Sequence, residues 1–374
     1  MKFNLKILIP FLIIYSAIML SPFFIFAKST DFEVAVWVPY WHKTVASEEV
    51  KNNLKQLTTI SPFSFEVDAN GKIKDTLKIG VEPWPSLIHE ARASKVKIIP
   101  TIMWSNGEAM DKIFRNAKLR SSHVAEIMKI VKAGNYDGID IDYENKKAET
   151  YRGFTAFLRL LSLKLKAQNK TLVCTIEARM PPTSRFLVVP AKIEYANNYK
   201  AINKYCDEVR IMAYDQMTAD ILLTKRKIQL GYYSPVADKD WVKKVVAFSS
   251  NQIDREKLVL GVANYGYEYE VTDKGTYYDY KKIRSVSYKT ATDLAKTLSK
   301  IPERNSAGEL SFTYIKGPPS SKSGEASATR LVWFSDKKAI ADKIALAKTM
   351  RLKGVALFRA DGSAETGFWE EVFK

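Results

Sequence analysis

The sequence predicts an α/β protein, a (β/α)8 TIM barrel with a small α+β insertion between its seventh and eighth strands. Eight short apolar segments rich in β-branched and aromatic residues recur along the chain, and amphipathic stretches with Lys and Glu on one face separate them. The 374 residues also exceed the roughly 250 of a plain barrel by enough to hold an insertion. An open doubly wound sheet is the alternative from pattern alone. It lacks support because no Gly-rich phosphate loop follows the first strand.

Residues 1–27 are expected to be a signal peptide or an N-terminal membrane anchor. Lys2 and Lys6 precede an apolar run over 7–26, broken only by Pro10, Tyr15, Ser16, Ser21 and Pro22. Ile25 and Ala27 give an acceptable cleavage pattern, while an apolar run of roughly 20 residues is also long enough to stay in a bilayer. Either outcome puts the body of the protein outside the cytoplasm: secreted, periplasmic or associated with the cell envelope.

The barrel is expected over 33–374. Its strand segments are 34–38, 59–65, 96–103, 138–143, 171–177, 208–214, 259–265 and 354–358. Helical patterns lie between several of them, at 48–57, 85–94, 121–134, 150–168, 195–206 and 240–249. The rhythm breaks over 270–335, which holds Tyr277, Tyr278 and Tyr280, a helix-like stretch at 290–300, a strand-like one at 310–315 and a turn-rich run at 316–325. Residues 331–334 close this insertion, and Asp336 is placed to cap a helix running to Met350.

Composition bounds function. Hydrophobic residues make up 46% of the chain, as expected for a buried core. The net charge is +17 from 58 Lys and Arg against 41 Asp and Glu; loss of residues 1–27, with Lys2 and Lys6 and no acid, leaves 17 − 2 = +15. A basic exported protein accumulates on anionic envelope polymers through salt-sensitive attraction. Nucleic acid is not an expected partner, because the lysines are spread out and no basic-aromatic motif concentrates them. Cys174 and Cys206 both sit in or beside apolar segments, which favours buried free thiols, though one bridge is open to them. His42, His89 and His123 have no metal-ligand spacing. No metal and no cofactor are expected, and the protein is read as a monomer.

The most informative stretch is Asp137-Gly138-Ile139-Asp140-Ile141-Asp142-Tyr143-Glu144. On a strand Asp140, Asp142 and Glu144 share one face and Ile139, Ile141 and Tyr143 the other. In a barrel the apolar set packs under the helices and the carboxyls rise inside toward the C-terminal rim, where barrel active sites lie. Neighbours on that face stand about 6.6 Å apart along the backbone. Burying several carboxylates together is costly unless a proton is shared, and repulsion then keeps a terminal group protonated as a general acid. A non-catalytic glycan site of the same shape and a metal site without histidine are the other readings of the column.

This stretch resembles the catalytic signature of glycoside hydrolase family 18. The resemblance implies that Glu144 is the proton donor and later base, that Asp142 orients the substrate's 2-acetamido nitrogen and that Asp140 partners Asp142. It also implies that the acetamido carbonyl, not a protein group, attacks the anomeric carbon. Met212-Ala213-Tyr214-Asp215 is similar to the family's sixth-strand motif, in which the tyrosine holds the acetamido oxygen and the aspartate helps to position it. The segment from Val36 to Trp41 resembles the first strand, with Tyr40 near the sugar; Phe63 and Phe65 fall where the second strand supplies an aromatic, and Asn264-Tyr265-Gly266 is like the seventh-strand motif. The substrate-binding set is then Tyr40, Phe65, Trp104, Met212, Tyr265 and Phe358. Phe358 is a departure, since the family usually places tryptophan at the end of the eighth strand.

The resemblance covers 33–374, and the Pro39-Tyr40-Trp41 start, the Glu177-Ala178-Arg179 fifth strand and Val332-Trp333-Phe334 before the last helix look most like the bacterial branch with spore-cortex and cell-wall N-acetylglucosaminidases. The expected activity is hydrolysis of β-1,4 bonds beside N-acetylglucosamine, in chitin-type oligomers or peptidoglycan. A lectin-like glycan-binding protein of the same fold is the alternative, favoured only by Phe358, and an envelope scaffold working through its basic surface is a third.

Overall fold

The computed structural model describes residues 32–226, 231–317, 328–362 and 365–373. The N-terminal segment 1–27 and most of the turn-rich run 316–325 lie outside them. Eight parallel strands form the barrel: β1 (Glu33–Val38), β2 (Thr59–Val67), β3 (Thr101–Trp104), β4 (Gly138–Tyr143), β5 (Thr171–Glu177), β6 (Glu208–Met212), β7 (Leu258–Ala263) and β8 (Gly354–Phe358). Each pairs with the next, and β8 pairs with β1 in the register Glu33↔Gly354 to Val36↔Leu357, which closes the barrel.

Strand parity sorts the side chains. Val36, Val38, Ile139, Ile141 and Tyr143 join the outer core under the helices, whereas Ala35, Trp37, Phe63, Val259 and Ala356 cluster together on the inside. The helix Tyr151–Lys166 shows the helical counterpart: Phe154, Phe157, Leu158, Leu161 and Leu165 recur at three- and four-residue steps and are all buried. Gly138 opens β4 where a Cβ would run into the Thr171 carbonyl oxygen of β5, so only glycine lets the two strands close there. Beside it, Asp137 accepts the Ile98 N–H at 2.8 Å and fixes the strand entrance.

Several boundaries differ from the sequence reading, each for a local reason. The third strand is split into Lys97–Ile98 and Thr101–Trp104, because Pro100 has no N–H to give the ladder. β6 stops at Met212, and Asp215 three residues on takes a left-handed backbone, φ +54. Tyr265 leaves the barrel: β7 ends at Ala263 and, across the single residue Asn264, the chain enters an antiparallel sheet of Tyr265–Asp273, Tyr278–Ser287, Glu303–Arg304, Leu310–Lys316 and Ala328–Phe334, with the helix Tyr288–Thr297 against it. After that sheet the Asp336 side chain accepts the Ala339 N–H at 3.0 Å and caps the helix Lys337–Thr349.

The free-thiol expectation is corrected. Cys174 and Cys206 form a disulfide across a separation of 32 residues. Cys174 lies mid-strand in β5, and Cys206 ends the helix that leads into β6, its neighbour. Their Cα atoms stand 6.1 Å apart, a spacing that a bridge spans. Closing a loop of that length stabilises the fold by about 3–4 kcal/mol through the entropy of the unfolded chain.

Candidate active site

The interior of the barrel is polar at mid-height. Asp140, fully buried, accepts from Trp37 Nε1 at 3.0 Å, Thr101 Oγ1 at 2.8 Å and Thr175 Oγ1 at 2.7 Å, with Arg210 Nη1 at 3.6 Å. Arg210 is itself buried and also pairs with Glu208 at 2.8 Å, and Glu208 with Lys353 at 2.6 Å. These strands supply three donors and a cation to one carboxyl because Trp37, Thr101, Thr175 and Arg210 are all inward-facing residues of β1, β3, β5 and β6.

Above Asp140 a cleft of about 640 Å3 opens at the C-terminal end of the barrel. Asp142 and Glu144 line it, together with Tyr40, Met212, Tyr214, Asp215, Tyr265 and Phe358. Asp142 is 4% exposed and its Oδ1 has no hydrogen-bond partner among the described residues. Burial, then the neighbouring Glu144, Asp140 and Glu177, hold its carboxyl well above the usual carboxylate range, with Lys146 opposing. The Glu144 carboxyl is also raised, by burial first and by Glu177 and Asp215, again against Lys146. Two adjacent carboxyls with raised values share protons instead of both ionising.

The opposite wall is aromatic and hydroxylic. Burial and the surrounding acids, Asp142 first, push the Tyr214 phenol far up, so it is a neutral donor. Asp215, three residues beyond β6, accepts from Tyr265 at 2.9 Å and Tyr267 at 2.6 Å, both on Oδ1. Phe358 lies parallel to Tyr214 with ring centres 5.8 Å apart, and edge-on to Trp37 at 5.9 Å. The next residue is locked in place: the Asn264 side chain donates to Arg359 O at 2.6 Å and accepts from Arg359 N at 2.7 Å. At the far end Tyr40 donates to Glu66 at 3.2 Å.

Two expected sugar contacts are not at the cleft. Trp104 is 1% exposed, packed against Phe114, His123 and Tyr143 in the outer core; it pairs with Tyr143 across β3 and β4 and so shares the outer face. Phe65 is displaced by a bulge. β2 pairs Phe63 with Thr101 but Phe65 with Ile102, so one extra residue, Ser64, reverses parity. Phe63 therefore faces the cleft and Phe65 the outer core.

The site also holds residues that the sequence reading did not select. Trp41, Tyr267, Lys282, Arg185 and Arg359 line the cleft. Glu177 accepts from Asn145 N at 3.2 Å and Asn197 Nδ2 at 2.7 Å, and stands 3.7 Å from Lys146 Nζ. The Lys146 side chain is nearly inaccessible and also donates to Tyr143 O; burial pulls its ammonium below the usual lysine range, which the carboxyls around it resist. Parity along 173, 175 and 177 could have pointed to Glu177; nothing in the sequence placed Lys146 beside it.

Comparison with known proteins bears on this geometry. The family described as Glycosyl hydrolases family 18 matches residues 33–362. A Bacillus subtilis protein called uncharacterized glycosylase YvbX is 24% identical over 335 residues, covering 85% of this chain and 84% of its own. The spore cortex-lytic enzyme SleL of Bacillus megaterium QM B1551 superposes with a TM-score of 0.69 at 22% identity, over 92% of this chain and 74% of that one. A chitinase from Chromobacterium violaceum ATCC 12472 gives 0.71 at 17%, over 91% and 98%.

Proposed function

The chain belongs to glycosyl hydrolase family 18 and is a glycosidase, and on that premise we propose that it cleaves β-1,4 bonds next to N-acetylglucosamine, in chitin-type oligomers or peptidoglycan, by substrate-assisted retaining catalysis. The observation that carries this is the column of carboxyls, Asp140, Asp142 and Glu144, that rises to a cleft also lined by Tyr214 and Asp215.

Glu144, whose carboxyl burial and Glu177 shift toward the protonated form, gives its proton to the glycosidic oxygen as that bond breaks. The substrate's acetamido oxygen closes on the anomeric carbon, forming a cyclic oxazolinium ion and leaving Glu144 as a carboxylate. Asp142, with its unpartnered Oδ1, takes the acetamido N–H and balances the developing charge. Tyr214 donates to the acetamido oxygen, and Asp215 fixes the same group while Tyr265 and Tyr267 hold its carboxyl. Glu144 then removes a proton from water, the water oxygen adds to the anomeric carbon, and the ring opens to restore both the acetamide and the acid. Tyr40, Met212, Tyr265 and Phe358 form walls of the sugar site, the phenylalanine giving a smaller platform than tryptophan would.

An extracytoplasmic site of action fits the basic start and apolar run of residues 1–27, and the Cys174–Cys206 bridge suits an oxidising compartment. The test is hydrolysis of fluorogenic N-acetylglucosamine oligomers and of purified peptidoglycan by the purified protein. Release from at least one is expected, and the faster polymer identifies the substrate. Binding of oligomers without release from either would overturn the proposal in favour of a lectin.

A further inference from the structure

A second chamber, of about 280 Å3, opens beside the cleft where Glu177 and Arg185 line both. We infer that this chamber is a subsite for a carboxylate-bearing sugar, so that the preferred substrate is an acidic N-acetylated glycan and not a neutral one. The inference rests on the glycan-cleaving reading above and concerns the sugar next to the one that Glu144 attacks.

The charges around the chamber are unevenly matched. Glu177 is satisfied by Asn145, Asn197 and Lys146, and Glu194, which also lines the chamber, pairs with Lys192 at 2.7 Å. Two guanidiniums are left over. Arg179 lies between the rings of Tyr195 and Tyr199, at 3.8 and 4.2 Å, and donates to Asn197 O at 2.8 Å. That sandwich holds it flat and directional, and no carboxylate pairs with it among the described residues. Arg185, on the exposed rim, likewise has no ion pair among the described residues. Between them Asn197 presents a buried Oδ1 with no partner among the described residues, while its Nδ2 is committed to Glu177. An unfilled acceptor at a buried position is costly, and a ligand N–H or O–H relieves it.

The fork of a guanidinium matches a carboxylate in geometry as well as charge. A neutral β-1,4 glycan offers only hydroxyls and amides and leaves both cations uncompensated. A glycan whose alternate sugars carry an ether-linked carboxylate, as peptidoglycan does where its lactyl groups bear no stem peptide and chitin does not, supplies the missing anion together with amide and hydroxyl donors for Asn197.

The experiment compares kcat/KM of the purified protein on soluble oligomers of alternating N-acetylglucosamine and its 3-O-lactyl ether, with the carboxylates free or methyl-esterified. The free acid is expected to be preferred by about tenfold or more, the worth of one charge-assisted hydrogen bond. Arg185→Ala is expected to bring the acid-to-ester ratio close to one, and Arg185→Lys to restore part of it. Equal cleavage of acid and ester by the unaltered protein overturns the carboxylate subsite and leaves the glycosidase reading intact, and a ratio that persists in Arg185→Ala overturns the role of the chamber. Cleavage of neither these nor N-acetylglucosamine oligomers overturns both readings together.

Discussion

Glu144→Gln is expected to lower kcat by about a hundredfold to ten-thousandfold, the usual contribution of a positioned general acid, while oligomer binding persists. The amide has the shape of the acid and no proton to give. The same change is expected to leave the protein at least as stable near neutral pH. Glu144 has its folded-state value raised above the ordinary 4.5, so its stabilising contribution is present below the unfolded value and is lost as pH rises through the folded one. A permanently neutral side chain avoids that loss. Denaturation midpoints of the two proteins should therefore separate in favour of the variant as pH rises and converge in acid. A variant with unimpaired turnover, or one that is less stable at neutral pH, contradicts this assignment. The raised value also sets the pH profile of the unaltered enzyme: the donor form of Glu144 persists above the ordinary glutamate range, and kcat declines as pH rises through it.

Asp140→Ala is expected to act on the fold as much as on catalysis. The carboxyl is the shared acceptor of Trp37, Thr101 and Thr175 and a neighbour of Arg210. Its removal orphans three buried donors and leaves a buried guanidinium with Glu208 as its one remaining ion pair among the described residues. Breaking a buried ionic network from one side costs about 3–5 kcal/mol, to be read as a shift in denaturation midpoint at unchanged slope. Activity should fall as well, because the orphaned donors unsettle the strand that carries Asp142 into the cleft. A stability loss under about 0.5 kcal/mol, within the range of an ordinary surface substitution, contradicts the structural role given to Asp140.

The column was legible because two strict alternations coincide in eight residues: acids at 140, 142 and 144 and large apolar residues at 139, 141 and 143 leave one inward face. The βα rhythm was legible for the same reason, with boundaries moved where Pro100 interrupts a ladder and where Asn264 hands the chain to a second sheet. Other features depend on how distant segments meet. Ser64 reads as an ordinary strand residue, and only its pairing with β3 shows that it reverses the parity of Phe65. Trp104 looks like a sugar platform until its partner across the ladder proves to be outward-facing Tyr143. Arg210, a charge in an apolar strand, makes sense only beside Asp140 and Glu208, and Lys146 gains its place from Glu177 on the next strand. The two cysteines are 32 residues apart and became neighbours when β5 and β6 paired.

In the proposed mechanism the substrate's own acetamido group, held by Asp142 and Tyr214, does the work of a nucleophile under protonation by Glu144. Its most direct test is the configuration of the first product released from an N-acetylglucosamine oligomer, followed by proton NMR before mutarotation sets in. Two displacements at the same carbon predict that the new reducing end appears as the β-anomer. First appearance as the α-anomer would mean a single displacement by water and would contradict the account.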